Sequence, residues 1–171
     1  MLTPRASTAD KPKIPILLFA HSLLGIRPYD WQCQILLHYE AGKPTAAACA
    51  NFTGKTSTVF PIAALWTLYN FPRARLMYLS ATSAQVKNQF FASLDGLRSR
   101  PAFAGWTWLE TEVRNLHGGF LFGRATDTSG NIEGLHDQAE SPATILLTKL
   151  NRSATRSSTR LSGVTLLTGS S

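Results

Sequence analysis

The stretch "KPTAAACANFTGKTSTVFPIAALWTLY", running on from Lys43, constrains this chain more than any other. It begins as a short run of small apolar residues, which predicts a buried strand. It passes through Gly54, Lys55 and Thr56, and it continues as an apolar run long enough for a helix over Gly54 to Tyr69, with Pro61 as a kink or early-turn residue. Strand, glycine-containing loop and helix in that order make the setting of a phosphate-binding loop, whose pattern is G-x-x-x-x-G-K-[ST]. Gly54, Lys55 and Thr56 fit the second half of that pattern. Cys49 stands where the first glycine belongs. In such a loop the backbone N–H groups and the helix N-terminus cradle phosphates. Lys55 would reach the β- and γ-phosphates, and Thr56 would ligate Mg²⁺.

The rest of the chain reads as the fold such a loop requires. Apolar runs alternate with amphipathic ones, so the fold class is α/β, a mostly parallel sheet with crossover helices. "WQCQILLHYEAG" is a helix that stops at Gly42. "RARLMYLSAT" is a strand. "SAQVKNQFFASLDGL" is a helix with Ser83 as its N-cap and Gly96 near its end. "GWTWLETEVRN" and "GGFLFGRAT" are strands of a hairpin or meander around "LHGG", and "PATILL" and "VTLLTGSS" each supply a core strand. At 171 residues, 44% of them hydrophobic and 16% charged, the chain suits one domain with its own core.

We divide it into an N-terminal arm and entry segment over residues 1–25 and one phosphate-loop domain over 26–171. Within the first part, Met1 to Lys13 is an arm and Ile14 to Gly25 a packed entry. "KPKIPILLFAHSLLG" loosely resembles a signal peptide, but Pro15 and His21 interrupt its apolar run, which is also far shorter than a membrane span. The formal net charge of +7 suits a polyanionic partner. Cys33 and Cys49 form no metal-ligand spacing and fit a reducing, intracellular setting.

Two further features bear on the loop. "RPYDWQCQIL" places Tyr29, Trp31 and Gln32 upstream of it, where rings can stack on a base and an amide can match the N6/N7 edge of adenine. The alternative is that the two aromatics belong to the core and Gln32 to a helix surface. In "YLSATSAQVKNQF" a strand ends in Ser and Thr where a helix begins, which in a parallel sheet is the ligand-binding edge.

Taken in order, "PYDWQ", "ANFTGKTS", "YLSATSAQVKNQFF", "FLFGRATDTSGNIEGLH" and "LLTGSS" resemble successive motifs of the large terminase subunit of tailed bacteriophages, in its N-terminal ATPase half. The resemblance covers about Arg27 to Ser171. It implies a RecA/ASCE-like P-loop NTPase fold and an ATP-driven motor that packages double-stranded DNA, with ATP and Mg²⁺ as cofactors. By motif position it implies adenine contacts at Tyr29, Trp31 and Gln32. Phosphate contacts fall on Asn51, Phe52, Thr53, Gly54, Lys55 and Thr56, with Lys55 and Thr56 serving catalysis and Thr56 the metal. Thr168, Gly169 and Ser170 sit at the motif coupling hydrolysis to movement. The implied partners are DNA, the viral portal and the small terminase subunit, with no membrane; the full-length protein would form an oligomeric ring in the bacterial host cytoplasm. Rival readings are a helicase-like P-loop DNA translocase fragment and a non-catalytic nucleotide- or DNA-binding remnant.

The chain departs from the family in three places. Asn51 replaces a basic residue that many members carry in the loop. The C-terminal nuclease half, with its acidic metal cluster, is absent. After "ATILL" the family has an Asp-Glu pair that orders Mg²⁺ and polarises the attacking water; here Thr148 and Lys149 follow, and Asp127, Glu133, Asp137 and Glu140 all precede that strand. The segment "TKLNRSATRSSTRLSG" also lacks apolar periodicity and carries Lys149, Arg152, Arg156 and Arg160 with no acid among them. We therefore read Thr148 to about Ser162 as translated out of frame. Regrouping its possible codons from Leu147 onward, the last base of each with the first two of the next, gives allowed readings that include "DEAESVGDAIFDAV", with Lys an alternative to the second Glu. That reading restores the acid pair directly after "ATILL" and follows it with an amphipathic helix. A genuine basic insertion that binds DNA phosphates is the alternative. As written, the chain is expected to be deficient in hydrolysis.

Overall fold

Ile14 to Gly25 packs into the fold around one short helix. In α1 (Ile16–Ser22) the apolar residues at Ile16, Phe19 and Ala20 share the i, i+3, i+4 face and are buried. The computed structural model describes residues 12–43, 54–125, 143–147 and 164–166, the last two as strand backbone. In α2 (Asp30–Glu40) the buried face is Gln32, Ile35 and Leu36, and the chain turns away at Gly42, whose φ of 67° is the left-handed geometry that commonly ends helices. The third helix begins with a π-helical turn, Lys55–Val59, and continues without a break as α3 (Phe60–Asn70). Pro61 explains the wide turn. It has no N–H to donate, and in a tight helix its ring would press on the carbonyl four residues back. The looser i→i+5 geometry, seen in the Phe60 N–H bond to the Lys55 carbonyl, opens that turn instead.

All of α3 from Phe60 to Leu68 is buried, as expected of a helix apolar on every side. It is tied to the entry segment by polar contacts. Trp66 Nε1–H donates to the Ile14 carbonyl at 2.6 Å, and the Ile14 N–H donates to Asn70 Oδ1 at 2.8 Å. Beyond it come β1 (Arg75–Ser80) and a continuous helical run, α4, made of Ser83–Gln85, a π-helical Val86–Phe91 and Ala92–Asp95. Its N-cap is Thr82 rather than Ser83: Thr82 Oγ1 accepts from the Gln85 N–H at 3.2 Å.

The sheet corrects one expectation. The stretch from Gly105 to Asn115 is not one strand but two, β2 (Thr107–Leu109) and β3 (Glu112–Arg114), turning at Glu110 and Thr111. With β4 (Phe120–Ala125) they form an antiparallel meander. Strands β5 (Ala143–Leu147) and β6 (Val164–Leu166) complete an order of β2-β3-β4-β1-β5-β6. The four strands β4, β1, β5 and β6 run parallel, so the sheet is mixed rather than uniformly parallel. The short turns explain this: a two-residue connection can only reverse a strand, whereas a parallel neighbour needs a crossover of a dozen or more residues.

Helices α3 and α4 pack on the sheet face that carries Tyr78. The Tyr78 ring stacks on Phe90 at 3.8 Å between centroids and meets Phe60 edge-on at 5.7 Å. Opposite Tyr78 in the register is Gly123, where a Cβ would fall 2.4 Å from Val86 Cγ1 and 2.5 Å from Phe91 Cε2. Only glycine lets α4 lie this close to β4. The loop before β4 is held by Asn115, 9% exposed. Its Nδ2 donates to the Leu68 and Pro72 carbonyls at 2.9 Å each, and its Oδ1 accepts from the N–H groups of His117 and Gly119.

Candidate functional site

The sheet topology directs attention to the carboxyl end of β1. From β1 the chain moves to β4 on one side, then returns across β1 to β5 on the other. In open α/β sheets ligands bind where the strand order reverses in this way, outside the carboxyl ends of the strands. At that end Ser80 is buried and donates through Oγ to Gln85 Oε1 at 2.8 Å, while Thr82 caps α4. The loop that joins strand to helix is therefore fixed by its own hydroxyls.

The turn Lys55–Val59 packs against both α4 and α2. It springs from Gly54, whose φ of 80° and ψ of 14° lie in the left-handed region that glycine adopts without steric cost. The Gly54 carbonyl accepts from the Thr58 N–H at 2.8 Å and the Val59 N–H at 3.3 Å. The N–H groups of Lys55, Thr56 and Ser57 open the helix, where intrahelical acceptors run out and the dipole favours negative charge. Lys55 and Thr56 are half-buried within this first turn. The continuous helical run beneath them extends to Asn70, long enough for that dipole to matter.

The upstream residues fall into three environments. Tyr29 is 71% exposed and occupies the N-cap position of α2. Trp31 is half-buried and leans on the core. Gln32 is only 1% exposed, and its Oε1 accepts from the Tyr29 N–H at 3.0 Å. A Cβ placed on Gly54 would lie 3.0 Å from Gln32 Nε2, 3.4 Å from Thr58 Oγ1 and 3.8 Å from Ser57 Oγ. Gln32 thus meets the loop glycine directly. The sequence left Gln32 to a base edge or a helix surface; it is not on the surface, and its spacing to Ile35 and Leu36 is the signal that marks a buried helical position.

Asn51, Phe52 and Thr53 of the expected loop, and Cys49 and the strand before it, lie outside the described residues, as do Thr168, Gly169 and Ser170. So do Thr148 to Gly163 and the four acids Asp127, Glu133, Asp137 and Glu140. For magnesium, Thr56 offers a hydroxyl at the required end of the helix. Among the described residues no cluster of three or more His, Cys, Asp or Glu side chains could complete a protein cage.

Arg98, Arg100 and Arg124, candidates for an arginine acting in trans on a neighbouring subunit, each have a local contact. Arg98 pairs with Asp95 at 3.0 Å, the Arg100 guanidinium lies over Gly25, and Arg124 stands over the Phe122 ring at 5.6 Å. No helix among the described residues is long and apolar enough to cross a membrane. No family model, curated protein or solved structure matches the chain.

Proposed function

We propose that this chain is the ATP-binding part of a viral DNA-packaging motor, the ATPase half of a large terminase subunit with a P-loop NTPase fold. The observation that carries the reading is Gly54 in the left-handed conformation at the start of a buried helix, with Lys55 and Thr56 in its first turn. The reversal of strand order at β1 supports it, because that turn packs against the α4 helix leaving the same edge.

The chain's own residues divide the work of binding. The N–H groups at the helix start hold phosphate oxygens, and the Lys55 ammonium adds a charge-assisted contact to the terminal phosphates. Tyr29, exposed at the head of α2, offers a ring on which a base can stack. The Thr56 hydroxyl would serve as a ligand to magnesium, which would supply charge neutralisation to the phosphates when bound. The acid pair required for turnover has no counterpart at Thr148 and Lys149. That absence favours a second reading for the chain as written, a nucleotide-binding module without catalysis.

Titration of a fluorescent ATP analogue into the chain and its Lys55→Ala variant tests the proposal. Loss of the ammonium removes about 1.5–3 kcal/mol of interaction, so affinity falls by about ten- to a hundredfold. Equal affinities would end the nucleotide reading. Double-stranded DNA, portal and small terminase subunit remain the partners proposed for the full-length protein, assembled as a ring in the host cytoplasm.

A further inference from the structure

Gln32 is a buried polar side chain beside the Lys55 turn to which the proposed function gives no part. A buried amide needs partners at both ends. The oxygen is turned back onto the Tyr29 N–H, which is the reach-back half of a capping arrangement. The nitrogen is set against Gly54, in the space a side chain there would occupy. One buried amide thus lies between the first turn of α2 and the residue from which the Lys55 turn springs, bonded to the first through its oxygen and packed on the second through its nitrogen. Reading an adenine edge would require the oxygen and nitrogen to be presented outward together. At 1% exposure, with its oxygen directed inward, Gln32 makes a different connection.

We infer that Gln32 is a positioning residue for the phosphate site. It holds Gly54 in its left-handed conformation and thereby fixes the direction of the N–H groups of Lys55, Thr56 and Ser57. The physical need is plain: glycine occupies positive and negative φ with similar ease, so its conformation must be selected by what packs on it. The inference rests on the nucleotide reading above and assigns Gln32 to the phosphate end of the ligand rather than the base. Its effect is then the same for every ligand that carries the phosphate chain.

The test uses the full chain with Gln32→Ala and Gln32→Glu. Glutamate keeps an oxygen for the Tyr29 N–H, so α2 stays capped, but it replaces the nitrogen at Gly54 with an anionic oxygen. A fluorescent ATP analogue is displaced in turn by ATP, GTP and inorganic tripolyphosphate, which has no base, and thermal unfolding is followed in parallel. Gln32→Ala should weaken all three ligands by one common factor, about three- to tenfold, leaving the ATP-to-GTP ratio unchanged. Gln32→Glu, which buries a carboxylate at a 1% exposed position, should unfold below the wild-type temperature yet remain folded at 25 °C, and should weaken all three by one common factor of more than about tenfold.

A selective loss of ATP with tripolyphosphate unaffected would overturn the inference and return Gln32 to the base. Wild-type affinity in Gln32→Glu would overturn it as well. Failure of the underlying reading looks different: Lys55→Ala then binds like wild type, or the wild-type chain binds none of the three, and the inference falls with it.

Discussion

Replacing Gly54 with alanine strains the site in two ways that can be added. A φ of 80° costs a residue with a Cβ about 1–2 kcal/mol. The new Cβ would also sit 3.0 Å from Gln32 Nε2, tighter than ordinary contact. A retreat of Gln32 loosens its 3.0 Å hydrogen bond from the Tyr29 N–H, worth about 0.5–1.5 kcal/mol. The sum is about 1.5–3.5 kcal/mol, and the chain can shed part of it by rearranging the turn. Urea unfolding followed by tryptophan fluorescence and circular dichroism should show a loss of about 1–2 kcal/mol, which for a chain of this size lowers Tm by about 2–8 °C. Nucleotide affinity should fall by about tenfold or more, because the N–H groups of the first turn no longer converge. A Gly54→Ala chain with wild-type stability and wild-type affinity would refute the left-handed geometry and its contact with Gln32 together.

Gly123→Ala places a methyl 2.4 Å from Val86 Cγ1, so α4 must move off β4; a loss of about 2–3 kcal/mol in urea unfolding is expected, and a neutral result would contradict the packing. Asn115→Ala strips partners from two carbonyls and two N–H groups behind the β3–β4 turn and should cost about 3 kcal/mol, read by the same unfolding assay. Removing either exposed ion pair, Lys87 with Glu110 or Arg98 with Asp95, should change stability by less than about 1 kcal/mol, since both are open to solvent. Binding to double-stranded DNA should be weak, independent of sequence and steeply reduced by salt, as phosphate contacts dictate; tight binding at high salt would argue against it.

The sequence was most legible where periodicity and punctuation agreed. Ile14 to Gly25 was readable as a packed entry, though not as a helix, and Gly42 as the end of α2. It was least legible where neighbouring residues carry the same signal. Thr82 and Ser83 are both good caps, and only the Thr82-x-x-Gln85 spacing separates them. The break within the meander had no glycine or proline to announce it, because Glu110 and Thr111 are ordinary strand-compatible residues in a polar context. In the site, Gly54, Lys55 and Thr56 could be placed on a helix N-terminus from sequence. The conformation of Gly54 and the burial of Gln32 could not, because each depends on α2 and the Lys55 turn meeting in space. Pro61 signalled an irregularity, but whether a helix answers it with a kink or a wide turn is decided by the packing around it.

On the proposed function, this chain binds Mg·ATP without turning it over, because Thr148 and Lys149 follow β5 where the acid pair would stand. The measurement is Mg²⁺-dependent phosphate release from two chains: the sequence as it stands, and one in which Thr148 to Ser162 is replaced by "DEAESVGDAIFDAV", each with Lys55→Ala as its control. The account predicts ATP binding in both, release near background in the first, and Lys55-dependent release in the second. If the unaltered chain already releases phosphate as fast as the replaced one, and does so through Lys55, the catalytic acid lies elsewhere and the account is contradicted.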